Sequence, residues 1–263
     1  MSVKIKEIIE EMNKIAPPEL AKEDDSFGFM VGDDKAETER VLIALDATEE
    51  VIDEAVKLGA KMILTHHPFI YKPFSRISAS DAFGRKIIKL IENKTAVFSA
   101  HTNLDAADGG VNDTMCSLLG LSSVEKTCFE VNTYLGRCGY LPQTLTVTEL
   151  ANKLKDLLKC DFVRICGDVD FKIEKVAMCC GGGAKPSFYK EAKQLGCGCF
   201  ITGDTRYHDL CEAQEIGMNV IDATHYATER PVLNTLADRL KAVFSEKKLK
   251  IIVSEANGQV FSK

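Results

Sequence analysis

Four of the five histidines in this 263-residue chain stand where a metal site would use them. His66 and His67 are adjacent and follow the apolar run Met62-Ile63-Leu64-Thr65. His101 opens the stretch His101-Thr102-Asn103-Leu104-Asp105, and His225 opens His225-Tyr226-Ala227-Thr228-Glu229. The last two are one device used twice: a histidine, three intervening residues and a carboxylate, after a short strand-like run. Imidazole plus carboxylate is the ligand set of catalytic zinc, iron and manganese sites, and the mixed set does not choose among the three. Two such elements converging on His66-His67 would hold two divalent cations. A cation pair needs terminal ligands for each ion and a shared group, and Glu229 has the reach to be shared. Ions about 3.5–4 Å apart can lower the pKa of a common water and hold both the attacking and the leaving oxygen. Any single histidine is more often a packed or surface residue than a ligand; the matched elements beside an adjacent pair are what carry the reading. His101 also reads as a residue that orients a ligand or the water rather than binding metal. His208, in Gly203-Asp204-Thr205-Arg206-Tyr207-His208-Asp209, reads either as an acid or base lining the cleft or as a helix cap.

The elements that would position these residues follow from periodicity. Ile5, Ile8, Ile9, Met12 and Ile15 have helical spacing, and Pro17-Pro18 ends that helix. A glycine-bearing loop spans Asp24 to Asp33. Then come a strand at Val41–Asp46, a helix at Glu49–Leu58 stopped by Gly59, and a buried strand at Met62–Thr65. A helix near Ala82–Glu92 leads to a strand at Ala96–Ser99 and so to His101. Strand, helix, strand, helix, strand is the doubly wound α/β pattern, in which ligands bind beyond the carboxyl ends of the strands. His66, His67, His101, Asp105, His225 and Glu229 all lie just after a strand.

The same order returns in the second half: strand Lys175–Cys180, helix Ser187–Leu195 stopped by Gly196, strand Cys199–Thr202, helix Glu212–Ile216, strand Asn219–Asp222, then His225. Aligning Thr65 with Thr202 sets His66-His67 on Gly203-Asp204; aligning His101 with His225 sets Asp105 on Glu229. The expected fold is therefore α/β, with two similar doubly wound lobes from an internal duplication and a metal cleft between them. The expected lobes are residues 1–124 and 125–263, the second including a less regular connecting segment, 125–173. Within that segment Thr146–Leu158 reads as a helix with Thr146 or Thr148 as its N-cap, flanked by strands at Tyr134–Tyr140 and Asp161–Ile165. Gly181-Gly182-Gly183-Ala184 lacks phosphate-loop spacing and reads as a tight strand-to-helix turn.

Composition excludes several classes. The chain is 45% apolar and 27% charged, with net charge −6. That balance is ordinary for a globular protein and argues against general nucleic-acid binding. No apolar run approaches the roughly eighteen residues of a membrane span. The first residues lead into an amphipathic helix rather than a signal peptide, so a cytoplasmic location is expected. The ten cysteines are then expected to be reduced. Cys179-Cys180 and Cys197-x-Cys199 lack zinc-knuckle spacing and lie in apolar runs, where free cysteine behaves as a small buried hydrophobe.

These motifs resemble the NIF-three-like family of dinuclear-metal hexameric proteins, often labelled GTP cyclohydrolase 1 type 2 homologues. The resemblance rests on His66-His67-Pro68, on the stretch from His101 to Asp113, on Thr202-Gly203-Asp204 with Tyr207-His208-Asp209, and on His225 to Glu229; Phe27 to Asp33 adds to it. It covers nearly the whole chain. It implies that His66 and His225 ligate one ion, that His67 and Asp105 ligate the other, and that Glu229 touches both. It also implies a ring-shaped homohexamer and, given the chain length, the short form without an inserted middle domain. Ser26 stands where asparagine is common in the family, and Thr224 where glycine is common. The expected function is a metal-dependent hydrolase of a nucleotide-like or phosphorylated small molecule, with Glu229, His101 and His208 as candidate catalytic residues. The rival is a non-catalytic protein that buffers or delivers metal, or a ring-shaped interaction scaffold.

Overall fold

Three strands carry the first half of the chain: Arg40–Ala44, Met62–Thr65 and Ala96–Ser99. They lie side by side in sequence order and run parallel. The last two are buried at every position, as expected of parallel strands covered on both faces. These elements belong to a computed structural model that describes residues 2–130, 132–247 and 249–256. The chain forms two units, one from Met1–Ala107 and Leu233–Gly258, the other centred on Asp108–Val232. Among the described residues no third unit is inserted between them.

In the first unit, Lys250–Val253 adds a fourth parallel strand beside Arg40–Ala44, and Gly28–Val31 closes the other edge antiparallel to Ala96–Ser99. The connecting helices begin and end as their sequences dictate. Thr48 caps Glu49–Leu58 by accepting from the Val51 N–H at 3.2 Å, and Gly59 ends it at φ 68°. Asp81 caps Ala82–Glu92 by accepting from the Gly84 N–H at 2.7 Å. Leu42, Ile52, Ile63, Phe69, Leu90 and Val97 pack together as the core of this unit. The register pairs Ala44 with Thr65 and Thr65 with Ser99, and the Thr65 and Ser99 hydroxyls hydrogen-bond at 2.8 Å. The residues just after those strands, His66, His67 and His101, therefore emerge at one end of one sheet.

The second unit also has three sequential parallel strands at its centre: Lys172–Met178, Cys199–Thr202 and Asn219–Asp222. Arg164–Cys166 flanks them antiparallel on one side, and the long pair Thr133–Thr146 and Ser122–Glu130 flanks them on the other. The fold is α/β in both units. Phe188, Tyr189, Phe200, Met218 and Val220 lie in the core, with the Tyr189 and Phe200 rings edge-on at 5.1 Å. Cys179, Cys180, Cys197 and Cys199 are all buried free thiols. No helix among the described residues is long and apolar enough to cross a membrane.

Several elements depart from the sequence expectation. Val3–Lys4 is a short strand paired with Glu37–Thr38, so the first helix starts at Ile5. The helix expected at Glu212–Ile216 starts at Tyr207, which puts His208 in its first turn. Much of the segment expected to be irregular is sheet. Ser122–Glu130 exposes its first five residues and so has little apolar alternation; its pairing with Thr133–Thr146 makes it a strand.

Thr146 is the cap of Val147–Leu158. Its hydroxyl accepts from the Glu149 N–H at 3.2 Å, and the Glu149 carboxylate accepts from the Thr146 N–H at 2.7 Å. Thr148 instead donates its hydroxyl to the Val169 carbonyl at 3.1 Å. Replacing Thr146 with alanine is expected to cost about 1 kcal/mol of stability, and Thr148→Ala less. Thermal denaturation of the two variants checks this; equal losses would contradict the assigned cap.

Candidate metal centre

Each candidate ligand is held by its own unit. In the first, the His66 and His67 N–H groups continue the sheet, donating to the Ala44 and Leu45 carbonyls at 3.2 and 2.8 Å. The His66 ring is buried, and its Nδ1 lies 2.9 Å from the Ala100 carbonyl oxygen. A carbonyl only accepts, so Nδ1 carries the proton and the neutral ring has its lone pair on Nε2. That Nε2 lies 3.7 Å from Asp105 Oδ1, on the short helix Thr102–Ala106. His67 repeats the device with a carboxylate: its Nδ1 donates to Asp46 Oδ1 at 2.9 Å.

His101 lies against both, its ring centroid 5.5 Å from that of His66 and 6.1 Å from that of His67. Its Nδ1 donates to Asp25 Oδ1 at 2.6 Å. The other Asp25 oxygen accepts from the Thr102 N–H at 3.1 Å and the Thr102 hydroxyl at 2.5 Å. Burial alone would raise the Asp25 carboxyl, but the bonds from His101 and Thr102 outweigh it and hold the pKa below the ordinary aspartate range. Asn103 anchors the loop: its Oδ1 accepts from the His101 N–H at 2.8 Å and its Nδ2 donates to the Ala16 carbonyl at 2.7 Å.

In the second unit, His225 opens the short helix His225–Glu229, so histidine and carboxylate are one helical turn apart on one face. His225 Nδ1 donates to Asp204 Oδ2 at 2.8 Å, and His225 Nε2 lies 3.0 Å from Glu229 Oε1. Glu229 is only 3% exposed, so its charge is not left to bulk water. Thr224, before the helix, has φ 67°, a left-handed conformation that suits glycine. Its hydroxyl offsets the strain by accepting from the Ala227 N–H at 3.3 Å, and its own N–H donates to Asp222 at 2.9 Å. Burial would raise Asp222 as well; bonds from Thr205 and Thr224 and the nearby Arg164 guanidinium hold its pKa down. The Gly181-Gly182 turn runs directly over the pair. A Cβ on Gly181 would stand 2.0 Å from Glu229 Oε1 and 3.2 Å from His225 Nε2.

The donor chemistry in each unit fits metal ligation. With Nδ1 protonated, a neutral His66 or His225 turns an Nε2 lone pair toward a carboxylate oxygen. Two electron-pair donors facing each other call for a proton or a metal ion between them. The first unit thus holds His66, His67 and Asp105, with His101 beside them, and the second holds His225 and Glu229. His208 stands apart: it is exposed on the first turn of its helix, edge-on to Tyr207 at 5.3 Å, and Arg206 is the N-cap. Sequence reasoning missed Asp25, Asp46, Asp204 and Gly181. Asp46 carried a signal, since it follows its strand at the same sheet end as His66. Asp204 did too, through its alignment with the histidine pair. Asp25, in an irregular loop, carried none.

These paired imidazoles and carboxylates at sheet ends define an α/β protein with metal-ligand chemistry in both units. The chain belongs to the Duf34/NIF3 (NGG1p interacting factor 3) family, whose sequence profile matches residues 3–259. A Clostridium acetobutylicum relative named GTP cyclohydrolase 1 type 2 homolog is 38% identical over 98% of this chain and 97% of its own length. A Bacillus cereus protein related to NIF3 has the same fold, with TM-score 0.89 and 26% identity over 98% of each chain. Reduced HcgD from Methanocaldococcus jannaschii superposes with TM-score 0.81 and 32% identity, over 97% of this chain and 99% of its own.

Gly181→Ala is expected to displace Glu229, because the added methyl needs the space its carboxylate fills and φ is +71° there. Elemental analysis after reconstitution should show lost metal, with a stability cost of about 1–3 kcal/mol. Gly182→Ala, whose Cβ would meet its nearest neighbour at 3.3 Å, should be milder. Full metal retention by Gly181→Ala would contradict the packing argument.

Proposed function

We propose that this protein is a dinuclear, divalent-metal-dependent hydrolase acting on a nucleotide-like or phosphorylated small molecule. In this reading His66, His67 and Glu229 would be the central ligands. His66 and His225 serve one ion, His67 and Asp105 the other, and Glu229 both. The observation that carries the reading is the Nε2 lone pair of His225 held 3.0 Å from the buried Glu229 carboxylate, with Nδ1 committed to Asp204. The name of the Clostridium relative supports the hydrolytic reading, since a cyclohydrolase opens a ring by hydrolysis.

Two divalent ions of the zinc, iron or manganese type supply Lewis-acid polarisation of the reacting groups when bound. The chain's own residues do the rest. Ala100, Asp46 and Asp204 fix the three ligand imidazoles in the tautomer that presents Nε2. Asp25 holds His101 as an oriented imidazole that accepts or returns a proton at Nε2. His208, exposed to solvent, is the second acid–base candidate, in contact with substrate rather than metal. The reading includes a cytoplasmic setting and a homohexamer, closed point-group symmetry being the rule for soluble homo-oligomers.

Reconstituted protein is expected to bind two ions per chain by elemental analysis and to turn over members of a nucleotide and phosphate-ester panel. Glu229→Gln should lose both ions. His101→Ala should keep them and fall about 10–100-fold in activity. A stoichiometry of one would remove the dinuclear centre, and loss of both ions in His101→Ala would make His101 a ligand. Full metal loading without turnover would favour metal storage or delivery instead. Sedimentation of the same sample separates a hexamer from a 29.0 kDa monomer.

A further inference from the structure

The second unit has a hollow that the metal chemistry does not use. It lies where the ladder between Thr133–Thr146 and Lys172–Met178 breaks register. Ile173 pairs with Leu145 and Lys175 with Tyr140, so residues 141–144 bow out opposite Glu174 alone. Beside the break lies an open groove of about 380 Å³. Three lysines line it, Lys172, Lys175 and Lys193, against one carboxylate, Glu174. In a chain of net charge −6 this is a local reversal of sign.

Two aromatic rings share the same walls. Tyr140 and Phe171 are 46% and 43% exposed. Phe171 lies against the Gly198 backbone, where a Cβ would come within 3.0 Å of its ring. Lys175 Nζ stands 5.3 Å from the Tyr140 ring centre, donates to the Leu195 carbonyl at 3.1 Å and pairs with Glu125 at 3.6 Å. Lys193 Nζ donates to the Gly217 carbonyl at 2.8 Å. Both lysines belong to the lining, and a backbone carbonyl orients each ammonium. An ammonium has three N–H donors, so Lys193 retains donors for a ligand while its one carbonyl contact orients it.

We propose that this hollow binds a small anion bearing a flat ring, with a nucleoside phosphate as the chemical class that fits. The lysines take the phosphate as charge-assisted donors. Tyr140 and Phe171 take the base, since base–aromatic stacking is tolerant of base identity. The site is independent of the metal ligands and of the hydrolase reading.

The test is isothermal titration of the full chain with adenosine monophosphate at low salt. Adenosine and inorganic phosphate are titrated separately, and the nucleotide again with the double variant Lys172→Glu/Lys193→Glu and with Tyr140→Ser. The substituted residues are exposed, and a thermal melt confirms each variant is folded. Adenosine monophosphate should bind more tightly than either half. The double variant should weaken it at least tenfold, Tyr140→Ser should weaken it measurably, and the binding that the double variant removes should persist with chelator and in Glu229→Gln. No binding up to about 1 mM, binding unmoved by the charge reversal, or binding lost with chelator would overturn the proposal. Phosphate alone matching the nucleotide would remove the ring from it.

Discussion

The candidate site depends on what each imidazole does with Nδ1. In His66 it faces a backbone carbonyl, in His67 Asp46, in His225 Asp204 and in His101 Asp25. All four partners are acceptors, so all four rings are driven to carry their proton on Nδ1. The lone pair then belongs to Nε2, the atom turned toward Asp105 in His66 and toward Glu229 in His225. Without these partners a neutral ring would divide between two tautomers and rotate, and part of the binding free energy would go to ordering it. The histidines supply donor atoms; a carbonyl and three aspartates make them usable.

The sheets make those partners available. In a parallel sheet, strands in register end together, so the residues following each strand meet at one edge. Thr65 opposite Ser99 brings His66-His67 beside the Ala100 carbonyl and His101. Thr202 opposite Asp222 does the same for Asp204 and His225. A one-residue slip in either register would turn the side chains to the other face and separate each imidazole from its acceptor. Close packing sets the remaining tolerance. Gly203 approaches the His225 backbone so closely that a Cβ would stand 2.5 Å from its nitrogen, and Gly181 covers Glu229 in the same way. The glycines of the turn after Lys172–Met178 are there for what they let approach, which is a carboxylate and an imidazole.

How much of this could be read from the residues follows from how local each signal is. The parallel strands were readable because fully buried strands are continuous apolar runs, and the candidate ligands because they follow those runs directly. The N-cap at Thr146 was readable to within two residues, and a contact with Val169, distant in sequence, settled it. Ser122–Glu130 and Lys250–Val253 were not readable as strands, since their status comes from partners far along the chain. The orienting residues were harder still. Asp25 bonds to His101 across 76 positions of sequence, and no periodicity in a glycine-bearing loop could announce it. The space above Glu229 is a property of three dimensions, so the glycine turn read only as a turn.

The protons on the four imidazoles are read directly by two-bond nitrogen–proton correlation NMR of the histidine rings in metal-free protein at neutral pH. His66, His67, His101 and His225 should each carry a proton on Nδ1, and zinc addition should shift Nε2 in His66, His67 and His225 while leaving Nδ1 protonated. Rings protonated at Nε2 alone, or rapidly averaging between tautomers, would contradict this, because the acceptors around Nδ1 would then not be setting the ligand atom.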